Sequence, residues 1–113
     1  MPAPYTASQI AKWLLSAIDR DSGDSITPLK LQKLIYYAQA WSLALPERAY
    51  PLFDEDMQAW AHGPVVESVF HEYKHAGWDA LPAPDEVPEI AEKDAAHLSE
   101  ILSVFGEFSA KHL

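Results

Sequence analysis

The sequence predicts a mainly α-helical single domain, and three observations carry that expectation. Apolar residues recur at helical spacing in four separate stretches. Three of those stretches open on residues suited to helix starts: Thr6, Thr27-Pro28 and Gly63-Pro64. The chain has 113 residues, of which 49% are hydrophobic, enough for one core and too few for two. The expected architecture is a compact helical fold around a central apolar helix over 27–45. A short β or irregular segment is expected at about 52–62, and 1–113 forms one domain.

The first helix is expected to begin at Thr6, with Gln9 three residues later completing a capping box. Ile10, Trp13, Leu14, Ala17 and Ile18 form its apolar stripe, opposite Lys12, Ser16 and Asp19. The run Asp21-Ser22-Gly23-Asp24 reads as a stop and a turn. The second helix opens at Thr27 with Pro28 in the first turn and should run to Leu45, before Pro46. Leu31, Leu34, Ile35, Ala38, Trp41 and Leu45 form one face, and Tyr36, Ala40, Leu43 and Ala44 make the other side apolar too. A helix apolar nearly all round is expected to be buried.

Met57 to Ala61 is a candidate short strand. A third helix is expected from Pro64 to Gly77, with Val66, Val69, Phe70 and Tyr73 inward. Pro82, Pro84 and Pro88, interleaved with acids, predict an exposed, stiffened loop over 79–89. The last helix should span about 90–105, with Leu98, Ile101, Leu102 and Phe105 inward and Gly106 beyond its end. Ser109 is a candidate cap for a further short helix.

Charge is divided unevenly. Residues 1–50 are near neutral, whereas residues 51–113 carry thirteen acids against three bases, for a whole-chain net charge of −9. Such a surface repels phosphate backbones, which argues against direct nucleic-acid binding. It suits a basic protein partner. Without cysteine there is no disulfide, thiol nucleophile or cysteine zinc site. The sequence shows no signal peptide and no span-length apolar run, so no membrane role is expected and the expected location is cytoplasmic. With four glycines and no G-x-S-x-G elbow, no cofactor is implied.

One local motif carries chemistry. His71-Glu72-Tyr73-Lys74-His75 satisfies H-E-x-x-H, in which two His chelate zinc and the Glu serves as base. Relative to the stripe of its own helix, His71 lies about 145° and His75 about 185° away, toward solvent. Glu92, His97 and Glu100 are candidate third ligands. A minimal zinc hydrolase using His71, Glu72 and His75 is the alternative to a binding role. For that binding role the candidates are Lys30, Lys33, Tyr37, Trp60 and His62. The lysines and Tyr37 share a flank of the second helix, where the lysines either pair with Asp24 or another acid or form a contact patch. Trp60 either closes the core beneath a loop or anchors an interface.

Three stretches together resemble a known family. They are Ile26-Thr27-Pro28-Leu29-Lys30-Leu31-Gln32-Lys33-Leu34-Ile35-Tyr36-Tyr37-Ala38-Gln39-Ala40-Trp41; Pro51-Leu52-Phe53 with Ala59-Trp60; and His62-Gly63-Pro64-Val65-Val66 leading to Val69-Phe70 and Tyr73-Lys74. The sequence is similar to the Panacea, or SocA-like antitoxin, domain found in phage-associated proteins. The resemblance implies a helical, non-enzymatic antitoxin that neutralises a cognate toxin protein by direct binding, the toxin being encoded in the adjacent gene. It also allows a role as proteolytic adaptor that presents the toxin to the ClpXP protease. Relatives usually continue past the equivalent of Leu113 into another helix.

Overall fold

The computed structural model describes residues 3–61, 63–77 and 79–106. Thr6 starts the first helix, α1 (Ala7–Ala17), through the expected capping box. Its Oγ1 accepts from Gln9 N at 3.2 Å, and Gln9 Oε1 accepts from Thr6 N at 2.9 Å. Glu55 supplies a third cap from far along the chain, its carboxylate accepting from Ala7 N at 2.9 Å. A negative charge there offsets the positive end of the helix dipole. The buried stripe is Ala7, Ile10, Ala11, Leu14 and Leu15, rotated from the expected one. Trp13 is only partly buried, Ala17 is exposed and Ile18 lies just beyond the helix.

A short 3₁₀ turn (Arg20–Ser22) follows, capped by the Asp19 carboxylate and closed by Gly23 at φ 95°. Helix α2 (Pro28–Ala44) begins and ends where the sequence predicts, with Thr27 Oγ1 accepting from Lys30 N. It packs against α1, the second strand of the hairpin and the two later α-helices, which makes it the central element. Its burial is one-sided, however. Leu31, Leu34, Ile35 and Ala38 are fully buried, but Trp41 is 45% and Leu43 50% exposed, with Tyr36 on the surface beside them. The expectation that Trp41 faces inward and that both sides are covered is corrected. The described elements pack on one side of this 17-residue helix and leave Trp41, Leu43 and Tyr36 uncovered.

Beyond α2 the chain runs without regular structure until a hairpin of β1 (Met57–Trp60) and β2 (Gly63–Val66). The strands are antiparallel, pairing Met57 with Val66, Gln58 with Val65, Ala59 with Pro64 and Trp60 with Gly63. Pro64 therefore sits in a strand, not at a helix start as expected, and the β segment extends past 62 to Val66. A proline is tolerated there because its position points away from the partner strand and needs no N–H. Helix α3 (Glu67–Tyr73) begins after β2, runs into a 3₁₀ turn (Lys74–Ala76) and stops at Gly77, φ 61°.

The loop over 79–91 is exposed and acidic as predicted, but it is tethered. Leu81 is buried, its N–H donates to Ile26 O at 2.8 Å, and Arg20 donates to its carbonyl at 3.2 Å. Helix α4 (Glu92–Phe105) closes the fold, burying Asp94, His97, Leu98 and Ile101. Gly106 caps it in a right-handed conformation. The expected Ser109 cap lies outside the described residues. Among those described, the result is four α-helices and one hairpin with a radius of gyration of 13.1 Å.

Polar side chains on α2 serve the backbone of the irregular stretch and of β2 beside it. Gln39 Nε2 donates to Phe53 O at 2.8 Å while its Oε1 accepts from Leu52 N at 2.7 Å. Seven residues earlier, Gln32 repeats the arrangement on Val66, donating to its carbonyl at 3.2 Å and accepting from its N–H at 2.9 Å. Ser42 Oγ donates to Tyr50 O at 2.7 Å. A primary amide carries a donor and an acceptor side by side, so each glutamine substitutes for a neighbouring strand.

Candidate functional site

The N-terminal half of α2, the hairpin and α3 leave a groove between them of about 390 Å³. Its walls are Pro28 and Leu29 from α2, Trp60 and Val65 from the hairpin, and Phe70 and Tyr73 from α3, with Lys74 at the rim. Alternation along β1 places Gln58 and Trp60 on one face of the hairpin. Trp60 packs edge-on against Phe70, centroids 4.7 Å apart, and its Nε1 donates to Gln58 Oε1 at 3.1 Å. It is still 37% exposed, so it covers Phe70 and presents an indole to solvent. Burial, with the charge of Glu72 adding to it, pushes the Tyr73 phenol up to about 12, so it stays protonated at neutral pH. The groove is an apolar cleft with few polar groups, the usual character of a recognition site.

The five residues expected to form a contact patch fall into two stations. Lys33 crosses from α2 to the hairpin, where its Nζ lies 2.5 Å from the place a Cβ on Gly63 would take; the lysine end could shift, but the φ of 115° at Gly63 favours glycine. Trp60 lies on the same hairpin. Lys30 and Tyr37 instead meet the end of α4. Lys30 Nζ donates to Gly106 O, where a cation complements the negative end of the helix dipole, and approaches Ser25 O at 3.5 Å. Burial lowers the Lys30 pKa, with Asp24 acting in the opposite direction. Tyr37 stacks on Phe105, with centroids 4.2 Å apart and planes within 7°. His62 lies outside the described residues.

The H-E-x-x-H run begins on α3 and ends in the 3₁₀ turn after it, with both histidines exposed as their phase predicts. His71 Nε2 is 3.4 Å from Glu67 Oε1, and His75 is exposed. Glu72 is engaged with α1, accepting from Ser8 Oγ at 2.8 Å and pairing with Lys12 at 3.3 Å. His97, a candidate third ligand, is buried with Nε2 2.9 Å from Ala38 O. Among the described residues no group of three or more His, Asp or Glu is arranged to hold a metal ion. Nor, among them, is any helix long and apolar enough to cross a membrane.

A second polar cluster went unseen in the sequence. Asp94, 2% exposed, accepts from Tyr5 Oη and Arg48 Nη2, each at 2.6 Å, and from Tyr50 Oη. Arg48 also donates to Ser42 Oγ at 3.1 Å and lies over the Tyr50 ring. Burial pushes the Asp94 carboxyl up, but the hydrogen bonds from Tyr5, Tyr50 and Arg48 outweigh it and leave it below its ordinary value. Burial and the Asp94 contact push Tyr50 up to about 12. The available signal was the spacing of Asp94, His97, Leu98 and Ile101, which continues the buried stripe of α4 with polar residues. For Gln32 and Gln39 it was two amides seven apart on an otherwise apolar helix.

Fold and groove together define a small, mainly helical protein that offers an apolar cleft with Lys74 in its lining and carries a large negative charge. The sequence matches the family described as Antitoxin SocA-like, Panacea domain, over residues 31–113. The chain belongs to that family, and membership points to an antitoxin role. The matched region holds Lys33, Tyr37 and Trp60, whereas α1 and Lys30 precede it. No curated protein and no solved structure matches the chain.

Proposed function

We propose that this chain is a non-enzymatic antitoxin that neutralises a cognate protein toxin, the product of the adjacent gene, by direct binding. The family match over residues 31–113 carries the reading. The groove supports it physically. Trp60, Phe70, Leu29 and Pro28 form an apolar surface able to seat an apolar side chain, and aromatic anchors of this kind dominate binding energies. Lys74 lines the groove and Lys33 reaches the hairpin at Gly63, so both can supply polar contacts; His62 stays a candidate contact on its sequence alone. Lys30 and Tyr37 extend the surface along α2 toward the end of α4. The acidic surface contributed by residues 51–113 attracts a basic toxin and speeds encounter.

Neutralisation by occlusion requires only that the complex cover the toxin's working surface. The same complex is what a proteolytic adaptor would deliver to ClpXP, and this finer role is part of the proposal. Expression of the adjacent reading frame alone should arrest growth, and co-expression with this chain should restore growth and yield a complex that co-purifies. A harmless neighbour overturns the reading. A toxin whose lifetime is shortened by this chain in cells with ClpXP, and unchanged without the protease, establishes the adaptor role. An unchanged lifetime in both assigns neutralisation to occlusion.

A further inference from the structure

The hairpin has two outer edges, and the fold treats them differently. On β2, Val66 directs both its N–H and its carbonyl to the Gln32 side chain, away from β1. In an antiparallel pair, directly opposed residues either bond each other or both point outward. Val66 points outward, so its partner Met57 does too, and the alternation makes Ala59–Pro64 the next outward pair. Pro64 fits that assignment, since an outward position requires no amide. The outer edge of β2 is thus blunted: Gln32 takes both groups of Val66, and Pro64 has no N–H to offer.

The outer edge of β1 is open. It presents the N–H and carbonyl of Met57 and of Ala59, two residues and about 7 Å apart. Among the described residues no backbone or side-chain group bonds these amides or carbonyls from that side. Gln58, Ala59 and Trp60 are all exposed along it. Exposed strand edges are templates for another strand, and proteins usually blunt them. Here one edge is blunted and the other is left available.

From this, and resting on the toxin-binding reading above, we infer that β1 recruits an extended, basic segment of the toxin as a third strand of the sheet. A polypeptide in extended conformation is the ligand whose donors and acceptors repeat at the spacing of Met57 and Ala59. Charge selects its character. Asp54 and Asp56 precede the strand, and Glu67 stands at the Gln58 end, where it accepts from Gln58 Nε2 at 2.7 Å. Those carboxylates attract Lys and Arg in the incoming strand and repel a second copy of this chain, whose net charge is −9. Side chains of the added strand on the Gln58–Trp60 face would reach the mouth of the apolar groove, so main-chain pairing and side-chain anchoring act in one contact.

The test uses the full chain and the product of the adjacent reading frame. Ala59→Pro removes an amide that β2 does not use, so it should leave the hairpin intact and weaken binding at least about tenfold. Ala59→Thr, which keeps the amide, should bind as the original does. Amide exchange in the unaltered protein provides a reading that needs no variant. The Met57 and Ala59 amides should exchange rapidly in the free chain and be protected in the complex, while Gln58 and Trp60 are protected in both. If Ala59→Pro binds normally, or the Met57 and Ala59 amides stay unprotected in the complex, the added strand is wrong and toxin binding stands by another surface. If the chain alone sediments as a dimer that Ala59→Pro dissociates, a second copy is the occupant and the inference fails. If the unaltered chain does not bind the neighbour's product, both readings fall together.

Discussion

The two ends of α2 solve opposite problems. Around its C-terminal half, Ser42, Arg48, Tyr50 and Asp94 satisfy one another and bring the N-terminal segment, the loop after α2 and α4 together. Beside its N-terminal half, the hairpin leaves an indole, an apolar groove and two outward backbone positions uncovered. Among the described residues every buried side-chain nitrogen and oxygen has a hydrogen-bond partner, so the core is internally complete. The outward backbone positions of the hairpin lie in the other region. One end therefore holds the fold, and the other is where binding free energy can be gained.

The largest effect should come from breaking the first region. Asp94→Ala strands the Arg48 guanidinium, whose side chain is 9% exposed, and removes the acceptor of two tyrosines. Removing one partner of a buried pair costs about 3–5 kcal/mol, measurable by denaturant unfolding, with affinity for the toxin unchanged in the fraction that remains folded. The same region sets the acid response. Burial lowers the His97 pKa below 6.5, so its stabilising contribution is present above pH 6.5 and is lost as pH falls through the folded value. Asp94, held below 3.8, contributes above that pH and is lost as pH falls further. A stability profile should therefore fall in two stages on acidification, and His97→Gln should remove the upper one.

Next is the seam between the regions. Gln32→Ala leaves the Val66 N–H and carbonyl without their partner inside the fold. Each orphaned group costs about 1–3 kcal/mol, and amide exchange at Val66 should accelerate more than at residues of α4. Trp60→Ala sharpens the contrast from the other side. An indole already 37% exposed contributes modestly to folding, yet its loss should weaken toxin binding by about 2 kcal/mol, read by calorimetry on the complex. A variant that loses stability and keeps affinity would show that Trp60 belongs to the core alone.

Much of this fold was legible in residues whose meaning is local. Thr6 with Gln9, and Thr27 with Pro28, fix helix starts through groups within one turn of them, and both appear as expected. Pro64 misleads for the same reason: a proline after glycine suits a helix start and equally suits an outward strand position, and only the pairing with Ala59 decides between them. Trp41 is apolar at the right phase, but burial depends on whether another element arrives to cover it. The Asp94 cluster draws on Tyr5, Arg48 and Tyr50, which are 44 or more residues from Asp94, so no local pattern announces it. The candidate site was legible as residue types. That Lys33 and Trp60 share the hairpin while Lys30 and Tyr37 meet the end of α4 depends on how those elements pack.

The smallest predicted effect lies where α2 hands the chain to the satisfied region. Ala49 is left-handed at φ 54°, and its N–H donates to Leu45 O at 2.9 Å to close the end of the helix. A Cβ is disfavoured in that conformation, and the residue is exposed, so its methyl has no packing to lose. Ala49→Gly relieves the strain but gives the unfolded chain more freedom, which offsets part of the gain. The net should be a stabilisation of about 0.5–1 kcal/mol, with no change in toxin binding because the groove and the β1 edge lie on other elements. A destabilised variant would mean that the left-handed turn is held by contacts of the Ala49 methyl rather than tolerated for the sake of Arg48 and Tyr50 on either side of it.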